Sequence, residues 1–150
     1  MQKTWNDYDR PHQDLRELLE RVDKAGELLR VSGADWNLEV GTLAEIIHGS
    51  QHGEAPAILF DNIPGYPAGF RLLSGASNSS ARLALTLGFP VPRGPMDVVR
   101  SYRDRMQRHE PIPPRVVETG PILENIDRDD DVDIFKFPIP FLHELDAHRE

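Results

Sequence analysis

Two spacings of apolar residues alternate along the chain, and together they lay out a succession of helices and short strands. Leu15, Leu18, Leu19 and Val22 fall at i, i+3, i+4 and i+7 within Asp14 to Lys24, the stripe of an amphipathic helix. Ala25-Gly26 supplies its stop. Glu27-Leu28-Leu29-Arg30-Val31 follows as a short strand, broken by Ser32-Gly33. Leu38, Leu43, Ile46 and Ile47 predict a second helix, with Glu39 near its positive end and an end before the Gly/His/Ser cluster from His48 to Gly53.

Ala57-Ile58-Leu59-Phe60 is a continuous apolar run of buried-strand length. Asp61-Asn62 and Pro64-Gly65 turn the chain, and Phe70-Arg71-Leu72-Leu73 returns as the other half of a hairpin-like unit. Ser79 or Ser80 caps a helix carrying Leu83, Leu85 and Leu87 and stopped by Gly88. Pro95 suits the first position of a further helix, about Met96 to Arg108, whose apolar positions are Val98, Val99, Tyr102 and Met106. Its Arg100, Arg103, Asp104, Arg105 and Arg108 are read as a solvated face with intrahelical ion pairs, in preference to an anion-binding face.

Beyond Glu110 the helical period disappears. Pro111-Ile112-Pro113-Pro114, Val116-Val117, Gly120-Pro121 and Phe135-Lys136-Phe137-Pro138-Ile139-Pro140-Phe141 have apolar anchors without a stripe. Most of the 13 prolines lie after Phe89, where they exclude helix interiors and central strands. The expectation is an α/β (α+β) domain over residues 1–110, a small mixed sheet with flanking helices. An extended Pro-rich strap, residues 111–150, would follow it and dock on another body, because its apolar residues need a surface the first part does not fully provide.

Composition narrows the function. With 39% hydrophobic and 28% charged residues in 150, the chain has an ordinary soluble make-up. A net charge of −8 with no Lys/Arg block argues against a nucleic-acid partner. No apolar run approaches 18 residues and the start, Met1 to His12, is polar, so neither a membrane span nor a signal peptide is expected and the location expected is cytoplasmic. The absence of cysteine removes disulfides, thiolate metal sites and cysteine nucleophiles.

The candidate chemistry is thin. Asp127, Asp129, Asp130, Asp131 and Asp133 resemble a calcium loop only until positions 6 and 12 are counted, where Val132 and Pro138 stand in place of glycine and glutamate. Gly75-Ala76-Ser77-Asn78-Ser79 lacks the second glycine of a nucleophile elbow and reads as a loop into a helix. His48 and His52 have the spacing of two ligands on one helical face, but Gly49 and Gly53 favour exposed loop histidines. His12, His109, His143 and His148 form no close pair, and His143-Glu144-Leu145-Asp146 reads as a wet terminus. Neither GxGxxG nor GxxxxGK[ST] occurs. No residue is therefore assigned a catalytic, cofactor-binding or metal-binding role.

Several segments in order resemble the UbiD-like decarboxylases, the family of ferulate and hydroxybenzoate decarboxylases. They are Asp14-Leu15-Arg16 through Gly26-Glu27-Leu28-Leu29-Arg30-Val31, Ala57 to Tyr66, and Arg82 to Gly88. In the tail they are Pro111-Ile112-Pro113-Pro114, Thr119-Gly120-Pro121, Glu124-Asn125, Asp131-Val132-Asp133, Phe137-Pro138-Ile139-Pro140 and His143-Glu144. One departure is Asp146-Ala147-His148-Arg149-Glu150, where many members have Asp-Gly-Gly, a basic residue and Tyr.

The resemblance implies a longer enzyme with a split-barrel domain that binds prenylated FMN, a divalent metal (Mn or Mg) and K+. Such an enzyme removes carbon dioxide reversibly from aromatic or α,β-unsaturated acids with a Glu-Arg-Glu set. Those residues lie beyond the position matching Asp146, so no cofactor is expected on this chain alone. The expected partners are the remaining flavin-binding and C-terminal domains or a companion subunit, with a homo-oligomer as the assembly. The rival expectation is a free-standing binding or assembly subunit without flavin or activity.

Overall fold

The computed structural model describes residue 10 and residues 12–50 and 55–146. Helix α1, Leu15–Lys24, starts where Asp14 turns its carboxylate back to accept the Glu17 N–H at 2.9 Å, satisfying one of the free amides of a helix start. It buries Leu18 and Val22. Strand β1, Leu28–Ser32, leads into helix α2, Glu39–Ser50, and strand β2, Ala57–Asp61. Strand β3, Leu72–Ser74, and helices α3, Ser80–Leu87, and α4, Pro95–Arg108, complete the domain.

The sheet order is β1-β2-β3. β1 and β2 run parallel, with Leu28 opposite Ala57 and Ser32 opposite Asp61, so β1-α2-β2 is a crossover unit. β3 returns antiparallel to β2, with Ile58 opposite Ser74 and Phe60 opposite Leu72. The mixed α/β sheet with flanking helices is thus present. β2 lies in its centre, buried on both faces, which is why its sequence is uninterrupted rather than alternating. Ala57 packs with Leu18, Val22, Leu85, Phe89 and Val98 on one side; Ile58 and Phe60 pack with Ala34 and Val40 on the other, against Leu43 and Ile47.

Capping signals place α3 and α4 where the sequence does. Ser79 accepts the Arg82 N–H at 3.2 Å, Gly88 closes α3 in the left-handed region (φ +63°), and Pro95 opens α4.

Three expectations about helices need correction. Leu38 is outside α2, at φ +67°, because its N–H is held by the Phe141 carbonyl at 3.2 Å while the Glu39 carboxylate accepts the Asp35 N–H at 2.7 Å and starts the helix one residue later. α2 also continues through His48 and Gly49 to Ser50. A helical glycine costs about 1 kcal/mol, and the packing of Leu43, Ala44 and Ile47 on the Phe60 cluster outweighs it. On α4 only Val98 of the expected stripe is buried; Val99, Tyr102 and Met106 are exposed.

Strand limits move by a residue or two. Glu27 precedes β1 and Phe70 precedes β3, and both side chains serve other contacts described below.

After α4 the described residues are irregular apart from three short 3-10 turns at Pro121–Leu123, Asp129–Asp131 and Ile134–Lys136. Part of this stretch packs back on the domain. Phe141 forms an isolated parallel bridge with Asn37, its N–H donating to the Trp36 carbonyl at 3.0 Å. The Trp36 and Phe141 rings lie 5.6 Å apart, and Phe137 meets Phe70 edge-on at 6.0 Å. Gly41 lies directly under Leu142, where a β-carbon would collide with the Leu142 backbone.

Candidate functional site

The most buried polar group of the domain is Arg82, on the inward face of α3. Its Nη1 donates to Glu27 Oε2 at 2.5 Å, and its Nη2 donates to the carbonyls of Ala55 at 2.6 Å and Gly75 at 3.2 Å. Both side chains of the ion pair are out of water. One guanidinium thereby ties the start of β1, the approach to β2, the loop after β3 and α3 to one another. A buried charge is tolerated only with a counter-charge and hydrogen-bond acceptors around it, and here Glu27 supplies the charge and the Ala55 and Gly75 carbonyls accept from Nη2.

Arg82 is not among the candidate residues read from the sequence. A signal is present, because Arg82 and Leu85 share one face of α3 at i and i+3, and a charge on an apolar face needs a buried partner.

Among the α4 arginines, Arg100 pairs with Asp97 at 3.4 Å and Arg103 with Asp104 at 3.0 Å, as a solvated helix face would. Arg105 departs from that reading. It donates to the carbonyls of Leu87 at 2.5 Å and Gly88 at 3.1 Å, and its guanidinium lies 4.2 Å over the Phe89 ring. It therefore closes the C-terminal end of α3, where carbonyls lack helical partners and the dipole favours a cation.

The histidines are scattered. His48 is a half-buried residue of α2 rather than an exposed loop residue, and its ring fills the space that a side chain at Gly75 (φ +68°) would need. Its Nε2 is buried with no hydrogen-bond partner among the described residues. His52 and His148 lie outside the described residues, as do Gly53 and the Ala147-His148-Arg149-Glu150 end. His12 and His109 belong to no cluster, and among the described residues no three His, Asp or Glu side chains are gathered as a metal site.

His143 and Asp146 form a local turn. The Asp146 carboxylate accepts the N–H groups of Leu142 at 2.8 Å and His143 at 3.0 Å, and these backbone bonds, the His143 N–H foremost, hold its pKa below the usual carboxylate value. In the acidic run Asp127 pairs with Lys136 and Asp133 accepts the Phe135 N–H at 2.8 Å, so those carboxylates serve turns. The Gly75 to Ser79 stretch leads into α3 as a capped loop.

Two cavities lined by described residues are open to solvent. One, of about 540 Å3, is lined by Phe89, Asp104, Arg105, Arg108, His109 and neighbouring residues. The other, of about 280 Å3, lies between α1 and the sheet with Arg16, Arg30 and Arg71 on its rim and Leu59 as floor. In the first, Arg105 is already engaged and Asp104 and Glu110 would repel an anion; in the second, Arg30 is held by Asp23 at 2.6 Å.

The chief exposed feature is the arm that follows α4. Ile112, Val116, Ile122, Ile134 and Phe135 stand in water along it, with Ile139 and Leu145 further on. So many exposed large apolar side chains in one segment suit a surface that something else covers.

These features define a small α/β domain with a buried ionic hub and a long apolar arm. The profile of the 3-octaprenyl-4-hydroxybenzoate carboxy-lyase N-terminal domain matches residues 19–106. The chain belongs to that family, the N-terminal domain of the UbiD-like decarboxylases.

It is 38% identical over 146 residues to the pyrrole-2-carboxylic acid decarboxylase of Pseudomonas aeruginosa, covering 91% of this chain and 28% of that protein. It is 33% identical over 126 residues to a phenolic acid decarboxylase of a Streptomyces species, covering 83% of this chain and 26% of that one. Among solved structures it superposes on the vanillic acid decarboxylase (ShVdcCD) of Sedimentibacter hydroxybenzoicus with 27% identity. There the TM-score is 0.74 for the closed form, over 90% of this chain and 28% of that one. For an open form it is 0.72, with 28% identity over 90% and 29% of the two chains. The chain thus spans little more than a quarter of the length of these relatives. No described helix is long and apolar enough to cross a membrane.

Proposed function

We propose that this chain is the N-terminal structural part of a UbiD-like decarboxylase acting reversibly and without oxidation on an aromatic or α,β-unsaturated carboxylic acid. The carrying observation is the proportion of the alignments: decarboxylases match nine-tenths of this chain but little more than a quarter of themselves. In this reading prenylated FMN, a divalent metal (Mn or Mg) and K+ belong to the remaining polypeptide, or to a companion subunit, in the cytoplasm. Loss of carbon dioxide leaves a carbanion-like centre that needs an electron sink, which a cofactor supplies and side chains do not. The domain's contribution is position: a rigid sheet stapled by Arg82 and an arm that engages the cofactor-binding body.

The test is native mass spectrometry of the protein produced with a flavin prenyltransferase and any neighbouring reading frame. A complex with a larger polypeptide and a bound flavin is the expected result. A 17 kDa species or its homo-oligomer, with no flavin under any co-expression, rules the proposal out in favour of a flavin-free binding or assembly subunit.

A further inference from the structure

We infer that Arg115–Thr119 adds itself as a strand to an open sheet edge of a body outside the described domain. In the reading just proposed, on which this inference rests, that body is the cofactor-binding portion. The arm leaves the domain at the end of α4 and is brought back by Phe137 and Phe141, so residues 109–136 form a loop anchored at both ends. A loop anchored in this way clasps something beside the domain instead of trailing from it.

The middle of the loop has the chemistry of a strand without a sheet. From Glu110 to Thr119 no backbone or side-chain group makes a hydrogen bond or ion pair among the described residues. Val116 is 94% exposed and Val117 58%, values suited to neither a finished surface nor a core. Val116, Val117 and Thr119 are β-branched, and Pro114 and Gly120-Pro121 bound the segment as strand-ending residues do. A row of free N–H and C=O groups with valines on both faces is the surface that joins a sheet edge: the backbone supplies affinity and alternate side chains the register.

Charge selects the kind of edge. Between Glu110 and Lys136 eight carboxylates face three cationic side chains, so a receiving edge carries basic residues beside its apolar pockets. The same imbalance opposes pairing of two arms from two copies, because like charges would lie side by side.

The experiment is hydrogen exchange read by mass spectrometry on the free chain and on a full-length chimera. In the chimera this chain replaces the matching segment of the Pseudomonas aeruginosa pyrrole-2-carboxylic acid decarboxylase. Alternate amides of residues 115–119 are expected to slow by on the order of a hundredfold in the chimera while exchanging freely in the isolated chain. Val117→Pro, which removes an N–H and blocks the ladder, is expected to abolish that protection and leave the melting of the free chain unchanged.

A flavin-loaded chimera whose 115–119 amides exchange as in the free chain overturns the inference and leaves the proposed function standing. A chimera that takes up no flavin overturns both. Protection that appears in the free chain and grows with its concentration overturns the inference by showing that the strand pairs with a second copy.

Discussion

Glu27 and Arg82, far apart in sequence, meet at 2.5 Å inside the domain with their charges shielded from water. Removing one partner strands the other as a buried charge. Glu27→Leu or Arg82→Leu is therefore expected to cost about 3–5 kcal/mol in urea denaturation followed by circular dichroism. The double Leu variant is expected to lose less than the two singles together, though not nothing, since the carbonyls of Ala55 and Gly75 also lose their donor. Strictly additive losses would show that the pair is not coupled.

Acid is expected to loosen α1 before the core. Glu17 accepts the Gln13 N–H at 2.7 Å and the Arg21 guanidinium at 2.5 Å, and these, the backbone bond first, draw its pKa from 4.5 to about 2. The Glu17 N–H lowers Asp14 in the same direction. A carboxyl depressed in the folded state contributes stability that is complete above its unfolded pKa and lost as pH falls through the folded one. The stability curve is thus expected to decline from about pH 4.5 toward about pH 2, and Glu17→Gln to flatten that slope. Equal slopes in both proteins would remove Glu17 from the account.

Arg105 makes a separable contribution at the other end of the domain. Arg105→Ala removes two donors from the end of α3 and the cation over Phe89, with an expected loss of about 1–2 kcal/mol in thermal or urea unfolding. Arg105→Lys is expected to recover only part, because an ammonium has no planar fork to bridge the Leu87 and Gly88 carbonyls together. Full recovery by lysine would mean that charge alone matters there.

How much of this was legible in the sequence follows from whether the cause was local. Asp14, Ser79, Gly88 and Pro95 act on neighbouring backbone groups, and α1, α3 and α4 lie where those residues place them. The end of α2 is not legible, because Gly49 weakens a helix locally while Ile47 is held by a strand distant in sequence. Arg105 looked like one of several surface arginines, since its partners belong to α3. The ionic hub left a weaker trace, an arginine in an apolar stripe, whose meaning appears only beside Glu27. The return of the arm to Trp36 left none, because an isolated bridge has no period to detect.

That return can be released by one methyl group. Gly41 is in the first turn of α2 with the Leu142 backbone against it, and any β-carbon there must move one of the two. Leu38 cannot yield easily, because its left-handed backbone (φ +67°) is braced by the same Phe141 that would be displaced. Gly41→Ala is therefore expected to detach residues 137–142 from the domain at a cost of about 1–3 kcal/mol, the usual range for overpacking. Trypsin is expected to cut after Lys136 several times faster in the variant, and the Trp36 emission, read in a Trp5→Phe background, to shift to the red as the Phe141 ring leaves it. Unchanged cleavage with unchanged emission would mean that the latch adapts to the extra atom. The arm would then not depend on that close approach for its second anchor.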